Sequence, residues 1–182
     1  MKTFWFKSAK LMTLALILIL TLCACGKKEA AQEATDARLT SLSFTAKDID
    51  GSKVTSENLF GKAKVTMINL WATWCSPCIR ELPDLEELYM EYRDRGVEVV
   101  GILLDGTSDS AIESAKTLMI KAGITYTVLR PSNEMGDLLN VQYIPATVFV
   151  DSRGNLLGNM VVGADLQAYR DNLDQLLGET GG

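Results

Sequence analysis

Two cysteines three residues apart, Cys75 and Cys78, stand in the run "NLWATWCSPCIRELP" (residues 69–83), directly after an apolar stretch and at the opening of a segment with helical spacing. Residues i and i+3 share one face of a helix, so the two sulfurs can meet in a disulfide without rearranging the backbone. The first sulfur lies beside the unpaired amide N–H groups of a helix N-terminus, where the dipole favours thiolate over thiol. Cys75 is therefore expected to be the exposed, attacking sulfur, and Cys78, one turn deeper, the one that resolves a mixed disulfide. Glu81 comes three residues later on the same face. Its carboxylate would disfavour a thiolate on Cys78 and could relay its proton, although an acid in an early helical turn is also what the dipole alone favours.

Other uses of two cysteines are weaker. A metal site needs four ligands, and beyond this pair the chain offers only Cys23 and Cys25 and no histidine. The lack of histidine also removes imidazole bases and Cys-His nucleophile pairs. A structural clasp closing so short a loop would remove only roughly 2 kcal/mol of unfolded-chain entropy. Peroxidases with a single attacking cysteine show Pro-x-x-x-Thr-x-x-Cys, and here Ala72 stands three before Cys75. No cofactor is expected. With a net charge of -5 the chain lacks the basic surface that tracks phosphates, so no nucleic-acid partner is expected either.

The first 24 residues do not belong to the fold that carries the dithiol. Lys2, Lys7 and Lys10 precede an apolar run from Leu11 to Leu22, the charged and apolar regions of a secretory signal. The run is short for a membrane span, which needs about 20 apolar residues. It ends in Leu22, Cys23, Ala24, Cys25, which resembles the bacterial lipobox, so Cys25 is the expected lipidation site and an uncleaved signal anchor the alternative. Either arrangement puts the domain outside the cytoplasmic membrane, and two acyl chains on Cys25 would anchor it stably. Without residues 1–24 the 18 basic residues fall to 15 against 23 acidic, a net of -8. Residues 25–40 comprise the lipidated Cys25 and a flexible tether with a mean reach of about 20 Å.

Residues 41–182 carry the elements that must position the dithiol. Leu42, Phe44 and Val54 flank Asp50-Gly51, a turn pair favoured in hairpins. A buried strand over Val65–Trp71 feeds the cysteines, and an amphipathic helix over residues 75–95 leaves them, with Leu82, Leu85, Leu88 and Tyr89 on one face. The pattern then gives a strand over residues 97–104, a helix capped by Ser108 or Asp109 and stopped by Gly123, and a short strand over 125–129. One or two helical turns over 133–141 lead into a strand over 144–151, its hairpin partner over 156–163, and a closing helix with Leu166, Tyr169, Leu173, Leu176 and Leu177 on one face. Alternating strands and helices followed by a late hairpin predict an α/β fold, a mixed central sheet with helices on both faces. Trp71 reads as core, and Trp74, beside the attacking sulfur, as part of a docking surface.

Residues 42–178 resemble the membrane-anchored thioredoxin-like proteins of TlpA and ResA type. The likeness rests on "NLWATWCSPCIRELPDL", "VQYIPATVFVD", the hairpin and the terminal helix. It implies a thioredoxin-like fold with an N-terminal β-hairpin extension. It also implies that Trp74 flanks the dithiol, that Pro83 kinks the long helix, that Pro145 after Ile144 is a cis-proline facing the disulfide, and that Glu81 tunes the thiols. Trp74, Ile144 and Pro145 are thus the expected substrate-binding residues. Asn69 departs from thioredoxins proper, which carry a buried Asp at that position; a neutral amide is no base, so Glu81 or water must take the resolving proton.

The activity implied is thiol-disulfide exchange through Cys75 and Cys78. Ser76 and Pro77 supply no histidine or cation to stabilise the reduced form, so a reductant is expected rather than an oxidant. A DsbD or CcdA type membrane protein would supply electrons. Apocytochrome c, methionine sulfoxide reductase or misoxidised proteins would be the disulfide substrates, with Ala146 beside the proline departing from the cytochrome c maturation members. A monomer is expected. The competing reading is a thioredoxin-like lipoprotein that only binds a partner.

Overall fold

The computed structural model describes residues 41–179. The expected signal, Cys25 and the tether lie outside them. The chain first makes a two-stranded antiparallel hairpin, β1 (Thr45–Lys47) and β2 (Lys53–Thr55), with Ala46 opposite Val54. Asp48 ties its turn by accepting from the N–H groups of Asp50 and Ser52, and Gly51 takes a φ of 95°, open to glycine at little cost. Helix α1 (Ser56–Phe60), capped by the Thr55 hydroxyl, follows at once. Sequence pattern gave no sign of it, because five residues are too few to show a period.

The main sheet has the order β5-β4-β3-β6-β7, made of β3 (Val65–Trp71), β4 (Val97–Leu103), β5 (Thr127–Leu129), β6 (Ala146–Asp151) and β7 (Leu156–Val162). Strands β3, β4 and β5 run parallel, while β6 pairs antiparallel with both β3 and β7, so the sheet is mixed as expected. Every residue of β3 is buried, which is why it reads as an unbroken apolar run. Gly101 in β4 stands opposite Asn69, and a Cβ there would come within 3.0 Å of Trp71 Nε1 and 3.2 Å of Val128 Cγ2. Strand β6 begins only at Ala146, after Pro145, which has no N–H for the ladder.

Helix α2 (Ser76–Tyr92) connects β3 to β4 and passes into a 3-10 turn, Arg93–Arg95, that ends at left-handed Gly96. It continues through Pro83, which removes the bond that the Ile79 carbonyl would otherwise accept. Helix α3 (Asp109–Ala122) is capped by Ser108 and stopped by Gly123, as expected. A 3-10 segment, Asn133–Leu139, broken at Gly136, leads to β6, and α4 (Leu166–Glu179) closes the described chain.

Both faces of the sheet are covered by helical elements, but unevenly. On one face, Val65, Met67 and Trp71 of β3 and Phe149 of β6 pack against Leu82, Leu85, Leu88 and Tyr92 of α2, Ile112 and Ala115 of α3, and Tyr169, Leu173 and Leu176 of α4. On the other, Ile68, Leu70, Val100, Val148 and Val150 meet Leu42 and Phe44, Leu59 and Phe60 of α1, and Met135 and Leu138 of the 3-10 segment. Among the described residues no helix is long and apolar enough to cross a membrane.

Candidate active site

Strand β3 delivers the dithiol to the C-terminal edge of the parallel strands, and α2 starts on it. Cys75 is the N-cap of α2, with extended backbone, and its Sγ accepts from the Cys78 N–H at 3.3 Å. The two sulfurs are joined, S–S 2.07 Å, with the Cα atoms 5.3 Å apart. An amide N–H aimed at the first sulfur favours its thiolate once the bond is reduced. Of the pair Cys75 is the more accessible, but only 4% of it is exposed, against none of Cys78. The open exposure expected from the sequence is therefore not found. The Ile144 carbonyl lies 3.7 Å from Cys75 Sγ and comes from a segment 69 residues away, which residue spacing does not reveal.

Glu81 is not a solvated acid. It is buried, 5% exposed, on the inner side of α2. Asn69 Nδ2 donates to Glu81 Oε1 at 2.9 Å and also to Thr147 Oγ1 at 3.1 Å. Asn69 and Thr147 are register partners across β3 and β6, on the sheet face that carries Met67, Trp71 and Phe149. The Tyr169 hydroxyl of α4 lies 3.1 Å from Glu81 Oε2 and 2.9 Å from the Gly163 carbonyl. A phenol has one proton, and the two acceptors compete for it. Burial pushes Glu81 up to about 7, against the hydrogen bonds from Asn69 and Tyr169, which lower it, and with the charge of Asp84, which raises it. The phenols of Tyr126 and Tyr169 are in turn held above their usual range, first by burial, with the Glu81 charge adding to it.

A substrate-facing rim surrounds the disulfide. Trp74 is 70% exposed beside Cys75, and Tyr143, just before Ile144, is exposed by 72%. The Ile144–Pro145 bond is cis, as the resemblance implies, and the Gly163 N–H donates to the Pro145 carbonyl at 2.8 Å. Thr73 is clamped by Asp105: its N–H lies 3.2 Å from Oδ1 and its hydroxyl 2.5 Å from Oδ2. The fold thus brings Trp74, Cys75, Cys78, Ile144, Pro145 and Glu81 to one end of the sheet. Trp71 is fully buried, as expected. Thr147, Tyr169 and Asp105 are the partners that sequence reasoning missed. A polar residue in a buried strand must find a partner, which is the signal that Asn69 and Thr147 carried.

Comparison with known proteins gives the same picture. The profile of the AhpC/TSA family matches residues 38–158. The thiol-disulfide oxidoreductase ResA of Oceanobacillus iheyensis is 32% identical over 162 residues, covering 84% of this chain and 78% of that protein. The ResA of Bacillus subtilis is 28% identical over 178 residues, 91% of this chain and 93% of that one. Among solved structures, a thiol:disulfide interchange protein of the thioredoxin family from Chlorobium tepidum TLS superposes with a TM-score of 0.61 at 29% identity, over 81% of this chain and 99% of that one.

Proposed function

This chain belongs to the AhpC/TSA family as a thiol-disulfide oxidoreductase, and on that premise we propose that it reduces protein disulfides outside the cytoplasmic membrane, held there by a lipid on Cys25. The observation that carries the reading is the Cys75–Cys78 disulfide at the N-terminus of α2 with the buried Glu81 carboxyl behind it. Anchoring and export rest on the leader and the lipobox-like triplet before Cys25.

In the reductive direction the Cys75 thiolate attacks one sulfur of a substrate disulfide; that S–S bond breaks and one substrate thiolate leaves. The Cys78 thiolate then attacks the Cys75 sulfur, the mixed disulfide breaks and the internal disulfide forms. Two electrons pass to the substrate, and the two protons given up by the cysteines end on its thiols. Glu81, near neutrality and on the Cys78 face of α2, takes the resolving proton, with Asn69 and Tyr169 fixing its orientation. The rim of Trp74, Ile144 and Pro145 receives the substrate backbone. A DsbD or CcdA type membrane donor restores the dithiol, and apocytochrome c, methionine sulfoxide reductase or misoxidised proteins are the disulfides to test as substrates.

Trapping tests the mechanism. Cys78→Ser should accumulate mixed disulfides through Cys75, Cys75→Ser should give none, and both should reduce insulin with dithiothreitol only at background rate. Mixed disulfides on Cys75→Ser would reverse the two roles. A thioredoxin-like lipoprotein that only binds would leave wild type at background too. Direction is tested by equilibrium against glutathione, where a reductant poises more negative than the glutathione couple. Partition into detergent, lost in Cys25→Ala, tests the anchor; retention by that variant would point to an uncleaved signal.

A further inference from the structure

The N-terminal hairpin meets the C-terminal ends of β4 and β5 along a cleft of about 540 Å³, a size suited to a ligand group. It is lined by Thr45 and Lys47 of β1, Lys53 of β2, Thr107 after β4, and Arg130 and Ser132 after β5. Lys47 and Lys53 are register partners across the hairpin, and like charges directly opposite one another destabilise a strand pair. None of the three cations makes an ion pair among the described residues. Three neighbouring acids are engaged elsewhere, Asp48 with its own turn, Asp50 with Lys116 and Asp105 with Thr73, while Glu134 accepts from the Thr45 N–H at the edge of the cleft.

Two buried donors complete the set. Arg130 Nε and Ser132 Oγ are buried and have no hydrogen-bond partner among the described residues, although the Arg130 Nη2 is fixed on the Ile49 carbonyl at 2.8 Å. A guanidinium N–H, a hydroxyl and two ammonium groups are what a carboxylate or phosphate oxygen pair binds. Such a concentration of cations is notable in a chain of net charge -5.

The cleft sits on the same edge of the sheet as the dithiol. Gly106 and Thr107 directly follow Asp105, whose carboxylate clamps Thr73, two residues before Cys75. Strand β5 lies two places from β3, a lateral distance of roughly 10 Å, or about three residues of extended chain. We propose that this cleft is an oxyanion site that takes a carboxylate side chain of the disulfide substrate, about three residues from the cysteine that Cys75 attacks. The assignment rests on the oxidoreductase reading above and adds a specificity element to it: substrates with an acidic residue at that spacing bind better.

The test uses two disulfide peptides that differ only in Glu or Gln three residues to either side of the cysteine, with the full chain recycled by dithiothreitol. Wild type should reduce the Glu peptide with a kcat/KM about fivefold higher, carried in KM, the scale expected for two partly exposed charge pairs. The Lys47→Gln/Lys53→Gln variant should lose that preference and reduce the Gln peptide at the wild-type rate. Equal rates for the two peptides in wild type, or a preference that survives the double substitution, would overturn the proposal. Inorganic phosphate followed by amide NMR should give saturable shifts at Thr107, Arg130 and Ser132 in wild type only; shifts that do not saturate would remove the site. Saturable phosphate binding by a protein that reduces neither peptide would instead overturn the oxidoreductase reading, and with it the substrate part of this one, while the oxyanion cleft stands.

Discussion

The two faces of the central sheet differ in what they bury. One face, under α2, α3 and α4, holds Asn69, Thr147, Glu81 and the Tyr169 hydroxyl in a connected polar cluster behind the disulfide. The other, under the N-terminal segment, α1 and the 3-10 turns, is more apolar, with Thr66 buried beside Ile68: Phe44 and Phe60 meet edge to face with centroids 5.8 Å apart, over Ile68, Leu70, Val148 and Val150. Burying a carboxyl costs free energy that hydrogen bonds recover only in part, so the first face carries a pH-dependent cost through Glu81. Glu81 sits on the face closed by long helices, where β3 and α4 supply the partners that fix a side chain of α2.

If that division holds, truncation on the apolar face should cause the largest loss of stability and leave the chemistry alone. Phe60→Ala removes a fully buried ring and should cost about 3–5 kcal/mol in urea unfolding of the oxidised protein. The cost should be nearly the same at pH 5 and pH 8, since Phe60 belongs to the apolar cluster on the face away from Glu81. A cost that differs by more than about 1 kcal/mol between those pH values would show the two faces to be coupled.

Glu81→Gln acts on the opposite face and with the opposite sign. The carboxyl is raised from 4.5 to about 7 in the folded protein, so between those values the native state binds more protons than the unfolded chain. Stability from this group is complete below about pH 4.5 and is lost as pH rises through about 7, to the extent of about 3 kcal/mol. Glutamine keeps an acceptor for Asn69 and offers Tyr169 an N–H in place of the acid proton. The variant should match wild type at pH 4 and exceed it by up to about 3 kcal/mol at pH 8. In the reduced protein it should shift the pH dependence of resolution by Cys78 more than that of attack by Cys75. Identical stability profiles for variant and wild type between pH 4 and 8 would mean that Glu81 titrates in the folded state as it does in the unfolded chain.

What the sequence disclosed follows the same division between local and distant. The strands β3 and β4, the helix caps at Ser108 and Gly123, and the dithiol with Glu81 one turn on were legible, because each is set by neighbours within a few residues. The partners of Glu81 were not, since Asn69 and Tyr169 lie 12 and 88 residues away and meet it only through strand register and helix docking. Tyr169 read correctly as a core residue of the last helix, but its hydroxyl had no visible destination. The seclusion of Cys75 escaped for the same reason, because the Ile144 carbonyl that covers it arrives from across the sheet. Nothing in residue spacing marks Lys47 and Lys53; only the hairpin register sets them opposite each other, lining one cleft with Arg130.

Tyr169→Phe is the finest probe of the polar face, because it removes one oxygen and leaves the ring in the core. Its hydroxyl serves Gly163 and Glu81 together, and Gly163 in turn holds the Pro145 carbonyl, so the phenol connects the buried acid to the segment that covers Cys75. At pH 5, where Glu81 is protonated, the loss should be about 1 kcal/mol, the usual worth of a buried hydrogen bond. At pH 8 it should be larger, since an ionised Glu81 would lose one of its two donors. Removing a hydrogen bond that favours the charged form must raise the carboxyl further above about 7, so the midpoint of the stability change with pH should move upward. Urea unfolding of the oxidised variant across pH 5 to 9 reads this directly. A midpoint that stays in place, with a uniform loss at every pH, would assign the Tyr169 hydroxyl to Gly163 alone and leave Asn69 as the only donor that tunes the acid.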